Sequence, residues 1–166
     1  MTGFSDADYR SERDDRKSTI RTLFTFARGA ISWSSRKQRS VSTLTTEAEY
    51  IALSYTAKQA CWIIQFFRDI SYPQYIGKNA HNMRLYCDNQ SSIALTKNAH
   101  LNERSKHIDI AYHYVRDLVQ KARINIAYIS TLKMVADGLT KPLPREAFQR
   151  GRDAMGLLAC KETVYR

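Results

Sequence analysis

Cysteine, acidic side chains and long apolar runs are scarce in this 166-residue chain. Its three cysteines, Cys61, Cys87 and Cys160, are odd in number, widely spaced and set among apolar neighbours. That pattern is neither a disulfide framework nor a zinc site, and it points to a reduced, intracellular protein. No apolar run approaches the roughly 18–20 residues needed to span a bilayer, so no membrane partner is expected. Residues 1–8 have no basic n-region and no apolar h-region and do not read as a signal peptide. Sixteen acidic residues face 26 basic ones, a net charge of +10. A basic surface on a folded domain suits a polyanion, although charge alone also fits a domain that binds nothing in particular.

What is present is enough for one core. The length and the 43% hydrophobic, 25% charged composition are those of a single soluble globular domain, without internal repeats or low-complexity segments. Residues 3–9 fit a short strand, and 11–18 a charged, solvated turn. Residues 19–27 are rich in β-branched and aromatic side chains, a second strand. After Arg28-Gly29, residues 30–34 make a third, with Ile31 and Trp33 on one face, completing an antiparallel meander. Arg36, Lys37 and Arg39 are expected in the loop that follows. From 45 to 70 the apolar residues recur every three to four positions, a long amphipathic helix closed by Ser71-Tyr72-Pro73. Residues 77–82 read as loop, 83–87 as a buried strand, 91–97 as a short helix, 98–103 as a break and 105–121 as a helix. Residues 124–129 alternate as a strand, 134–139 begin a last helix broken by Pro142 and Pro144, and 148–158 again have helical spacing. The fold class is α/β: one five-stranded mixed sheet, the three-strand meander plus two further strands, flanked by helices. Residues 1–145 are taken as the domain and 146–166 as a C-terminal helical extension and tail.

The fourth strand organises the chemistry. It stops at Asp88, just before residues that begin helices well, and the carboxyl edge of such a sheet is where ligands collect. An N-cap at Asp88 or Asn89 explains the same residues. Three more carboxylates sit among apolar or small neighbours, where an unpaired charge is costly: Asp6, Glu49 and Asp137. Each has a plainer role open to it. Asp6 competes with Asp8, Glu49 could close a Thr46-x-x-Glu49 capping box, and Asp137 could face solvent. Brought together, the four would repel unless cations held them, a donor set suited to two Mg²⁺ ions about 4 Å apart clamping a phosphodiester.

The order of motifs resembles one family. Ser5-Asp6-Ala7-Asp8, Asp14-Asp15-Arg16-Lys17-Ser18-Thr19, Ile31-Ser32-Trp33-Ser34-Ser35-Arg36-Lys37-Gln38 and Thr46-Glu47-Ala48-Glu49-Tyr50-Ile51-Ala52 come first. Tyr86-Cys87-Asp88-Asn89-Gln90-Ser91, Lys106-His107-Ile108-Asp109-Ile110 and Ala136-Asp137-Gly138-Leu139-Thr140-Lys141-Pro142-Leu143 follow. Together they are similar to the ribonuclease H domain of copia-type long-terminal-repeat retrotransposon polyproteins, over residues 3–143. The resemblance implies the ribonuclease H-like fold and an endoribonuclease that cuts the RNA strand of RNA–DNA hybrids during reverse transcription. It implies two Mg²⁺ ions, for which Mn²⁺ substitutes, held by Asp6, Glu49, Asp88 and Asp137. Glu49 is chosen over Glu47 because Ala48-Glu49-Tyr50-Ile51-Ala52-Leu53 looks like the corresponding retroviral segment.

In the implied mechanism one ion activates a water for in-line attack and the other stabilises the leaving 3′ oxygen, giving 5′-phosphate and 3′-hydroxyl ends. Asp6 and Asp88 are expected to share the ions, and Glu49 and Asp137 each to complete one. Asn89 and Gln90 are candidates for reading the 2′-hydroxyl. Thr43, Thr45 and Thr46, at a helix N-terminus, are candidates for the DNA strand's phosphates, with Arg36, Lys37 and Arg39 beside them. His107 and His113 suit phosphate contacts better than a metal, since i, i+6 positions do not face one ion. Many ribonucleases H carry a histidine in the loop after the last strand; this chain reads Ser130-Thr131-Leu132-Lys133, which puts that proton-moving step in doubt. The expected partners are the hybrid and a reverse transcriptase domain of the same polyprotein, in a cytoplasmic virus-like particle, the excised domain standing as a monomer. The alternative is a catalytically inactive, nucleic-acid-binding remnant. A transposase or integrase would order its acids Asp, Asp, Glu, whereas here they run Asp, Glu, Asp, Asp.

Overall fold

The structure, a computed structural model, describes residues 1–9, 14–70, 83–97, 106–139 and 143–157, with backbone alone for 106–109. The expected loop at 77–82, the break at 98–103, Pro73, Pro142, Cys160 and the side chain of His107 lie outside the described residues. Strands β1 (Thr2–Asp8), β2 (Thr19–Phe26) and β3 (Gly29–Lys37) form the meander, and α1 (Thr45–Asp69) follows. Then come β4 (Met83–Cys87), α2 (Gln90–Lys97), α3 (Lys106–Gln120), β5 (Ile124–Tyr128) and, after two 3₁₀ turns, α4 (Arg145–Ala154).

The sheet order is β3-β2-β1-β4-β5. β1 runs antiparallel to β2 but parallel to β4, and β4 parallel to β5. The chain therefore builds outward from β1 on one side, then returns through α1 to build on the other. The β1–β4 boundary is the point where the winding reverses, and the carboxyl ends of both strands open there.

Alternation along the strands feeds two layers. On one face Phe24, Leu85, Ile124 and Ile126 pack against Tyr50, Leu53, Ala57 and Ala60 of α1 and Tyr112, Val115 and Leu118 of α3. On the other, Phe4 and Leu23 meet Met134, Ala136 and Met155. Gly3 is small for a reason: a Cβ there would lie 2.6 Å from Leu85 Cδ2 and 2.7 Å from Phe24 Cε1, both fully buried. Gly3→Ala is expected to cost about 1–3 kcal/mol by overpacking, read as a lower urea midpoint at unchanged slope. An unchanged midpoint would mean the layer has slack there.

Three local expectations are corrected. Residues 134–139 do not start an α-helix but form the 3₁₀ turn Val135–Leu139, preceded by another at Thr131–Lys133. The apolar spacing there is too short to separate the two helix types, and the turn packs Met134 and Ala136 onto the sheet. Arg36 and Lys37 lie in the last residues of β3, paired with Ile20 and Thr19, rather than in a loop. The β2–β3 turn is Ala27-Arg28, both left-handed (φ 49° and 65°), with Gly29 already in β3. Gly156 (φ 73°) nestles against this turn, where a Cβ would collide with the Arg28 carbonyl oxygen, while Ala30 N–H donates to Met155 O at 2.9 Å.

Candidate active site

Four elements deliver the site. Asp6 lies near the end of β1, where the parallel register sets Ser5 beside Cys87 and so Asp6 beside Asp88, the residue after β4. Glu49 comes from the first turns of α1, and its carboxyl accepts the Ala7 N–H of β1. Asp137 is brought in by the second 3₁₀ turn, against β1 and β2.

Glu49 is not tied up in capping. Glu47 turns back to the preceding loop, its Oε2 accepting Thr43 N–H at 2.6 Å and the Thr43 hydroxyl at 2.8 Å, and no side chain caps α1. Glu49 instead points toward the sheet edge, 5% exposed, with Oε2 lacking any hydrogen-bond partner. Ligand atoms of Glu49, Cys87 and Asp88 all lie within 4.8 Å of one another. Burial, then the Asp6 and Asp88 charges, push the Glu49 carboxyl up from 4.5 to about 9. Loading a cation beside it must therefore release a proton, so affinity rises with pH. Cys87 is no hard-cation ligand: burial pushes its thiol up to about 12, and Asn89 N–H donates to its Sγ at 3.5 Å.

Two participants escaped the sequence reasoning. Thr131, in the segment that lacks the loop histidine, donates its hydroxyl to Asp88 Oδ2 at 2.7 Å. Arg21 is the larger omission. It stands opposite Asp6 in the β1–β2 register, is completely buried, and is the largest fully buried side chain described. Its Nη1 lies 2.5 Å from Asp6 Oδ2 and 2.7 Å from Asp137 Oδ1, and its Nη2 2.5 Å from Asp8 Oδ2. The available signal was a charged residue inside a strand of β-branched and aromatic neighbours, which needs buried partners.

The candidate nucleic-acid contacts divide. Asn89 caps α2, its Oδ1 accepting Ser92 N–H at 2.9 Å, so the plainer N-cap role is real and leaves its amide donor for other use. Gln90 is exposed. Thr45 is exposed and Thr46 half-buried, but Thr43 has given its N–H and hydroxyl to Glu47. Arg36 lies 4.9 Å over the Tyr55 ring, and Lys37 and Arg39 are exposed nearby.

Solved structures place this architecture in a class. The chain matches the N-terminal RNase H domain of a Mycobacterium tuberculosis protein with a TM-score of 0.56, over 92% of this chain and 97% of that one, at 13% identity. It matches RNase H1 from Halobacterium salinarum NRC-1 with a TM-score of 0.53, over 81% and 89%, at 12% identity. The protein has the ribonuclease H fold. No protein-family model matches the chain. Among curated sequences it is 40% identical over 157 residues to the Retrovirus-related Pol polyprotein from transposon TNT 1-94 of Nicotiana tabacum, and 35% over 158 to that from transposon RE2 of Arabidopsis thaliana. Each alignment covers 95% of this chain but only 11% and 10% of those relatives. The chain belongs to the Pol polyproteins of copia-type retrotransposons, as the segment with the ribonuclease H fold.

Proposed function

We propose that this domain hydrolyses the RNA strand of RNA–DNA hybrids, as part of a polyprotein that also carries a reverse transcriptase and works inside a cytoplasmic virus-like particle. The observation that carries the reading is the convergence of Asp6, Glu49, Asp88 and Asp137, from four separate elements, at the point where the sheet's winding reverses. Such a gathering of carboxylates in a largely buried place has no structural use without cations.

The orphaned Oε2 of Glu49, facing Asp88, fits a hard divalent cation, Mg²⁺ with Mn²⁺ as substitute. Glu49 and Asp88 would hold it, with Asp6 adjacent. Bound there, it supplies Lewis-acid stabilisation of phosphodiester oxygens and a more acidic water. The chain's own residues do the rest. Thr131 fixes the orientation of Asp88 through its hydroxyl. The Asn89 amide and the exposed Gln90 meet the minor groove, where the 2′-hydroxyl distinguishes RNA from DNA. Thr45, Thr46, Arg36, Lys37 and Arg39 line the route of the DNA strand's phosphates, and His107 is a further phosphate contact.

A second reading, nucleic-acid binding without cleavage, is favoured by one specific observation: a guanidinium already stands between Asp6 and Asp137.

The test is a labelled RNA–DNA hybrid in Mg²⁺ or Mn²⁺, with single-stranded RNA, double-stranded RNA and double-stranded DNA as controls. The wild type should cut RNA only in the hybrid. Asp88→Asn should retain hybrid binding but lose at least about a hundredfold in rate, since even outer-shell partners of a metal site are worth 10–100-fold. Tight binding by the wild type with no cleavage in either metal would leave the second reading standing.

A further inference from the structure

A guanidinium stays charged at any ordinary pH and is expensive to bury unless carboxylates surround it. Arg21 meets that condition inside the site itself. One nitrogen, Nη1, touches both Asp6 Oδ2 and Asp137 Oδ1, and Nη2 touches Asp8 Oδ2. The side chain reaches this position across the face that holds Phe4 and Leu23, and it is sealed from solvent. A cation joining Asp6 to Asp137 would have to occupy the space Nη1 fills. It would also have to drive the buried guanidinium off both of these carboxylates at once.

The site therefore has two unequal halves. The Asp6–Asp137 half is already neutralised by a cation that is covalently attached and cannot diffuse away. The Glu49–Asp88 half is not: Glu49 Oε2 is buried without a partner, its ligand atoms within 4.8 Å of those of Asp88. We infer that Arg21 takes the place of a second metal ion, so that the wild-type site accepts one divalent cation, at Glu49 and Asp88. The inference rests on the reading of these carboxylates as metal-binding. It adds that the chain carries half of its counter-charge in its own sequence.

The experiment counts Mn²⁺ ions per chain, by the loss of the free-ion electron paramagnetic resonance signal on titration. It compares the wild type, Arg21→Met, which keeps bulk without charge, and Arg21→Lys, which keeps charge. The wild type and Arg21→Lys should bind one ion and Arg21→Met two. Mn²⁺ should also raise the melting temperature of Arg21→Met by more than that of the wild type, because the incoming ion replaces the lost charge. Two ions on the wild type, one ion on all three proteins, or none on any would overturn the inference. Should Arg21→Met fail to fold, the wild-type count still decides. Hybrid cleavage assayed on the same samples separates the two ideas. Two ions on Arg21→Met with no cleavage by any protein sinks the nuclease reading and leaves the role of Arg21 intact. Two ions on a wild type that cleaves does the reverse.

Discussion

In metal-free buffer at neutral pH, Arg21→Ala is expected to lose about 3–5 kcal/mol of folding stability, the usual cost of removing one partner from a buried ionic cluster. The wild-type side chain is completely buried and touches Asp6, Asp8 and Asp137. Its removal leaves those carboxylates facing one another without the guanidinium and opens a cavity beside Phe4 and Leu23. Urea unfolding with a chelator present measures the loss. Adding Asp137→Asn to Arg21→Ala should return part of it, since the repulsion falls when one member is neutral. A loss below about 1 kcal/mol would mean that the cluster is solvated, contrary to its burial.

Glu49→Gln should act in the opposite direction. Burial, helped by Asp6 and Asp88, raises the folded carboxyl from 4.5 to about 9. Between those two values the unfolded chain has given up a proton that the folded chain retains, so wild-type stability falls as pH rises through this window. Glutamine has no proton to lose, and the variant escapes the penalty. The difference should be near zero at pH 4 and reach about 3 kcal/mol at pH 7, at about 1.4 kcal/mol per pH unit. It should stop growing above pH 9. Urea midpoints in chelator at these three pH values measure it. The stabilised variant should also gain little from Mn²⁺, because the group that faces the ion has lost its charge. Equal pH profiles for the two proteins would place a charged, solvated carboxylate at Glu49.

How much of this was legible beforehand depended on periodicity. β2 and β5 announce themselves through β-branched and alternating residues, and α1 through its recurring apolar positions, because these patterns are local. The antiparallel meander and a mixed sheet with two further strands followed from element order alone. The 3₁₀ turn at Val135–Leu139 did not, since five residues cannot show a helical period. The site is a different case. Asp6, Glu49, Asp88 and Asp137 each have a local excuse, and only the motif order suggested that they meet. Capping could not be assigned from sequence either: Thr46-x-x-Glu49 has the form of a capping box, yet α1 starts at Thr45 without a side-chain cap and Glu49 turns to the sheet instead. Arg21 was passed over because its neighbours Thr19, Ile20, Thr22 and Phe24 satisfy a strand pattern without it. A single residue that violates the pattern deserved the question of what it would neutralise.

The contact of α4's end with the β2–β3 turn bears on how copies of this domain behave together. β3 is an outer strand of the sheet, and an outer strand's unpaired amides are a template for the next molecule. Here the Ala30 amide is engaged by the Met155 carbonyl, Gly156 seats the chain against Arg28, and Arg36 and Lys37 place charge at the strand's far end. The end of α4 and the residues just after it thus cover the start of this edge, where another copy's strand would otherwise find a free amide.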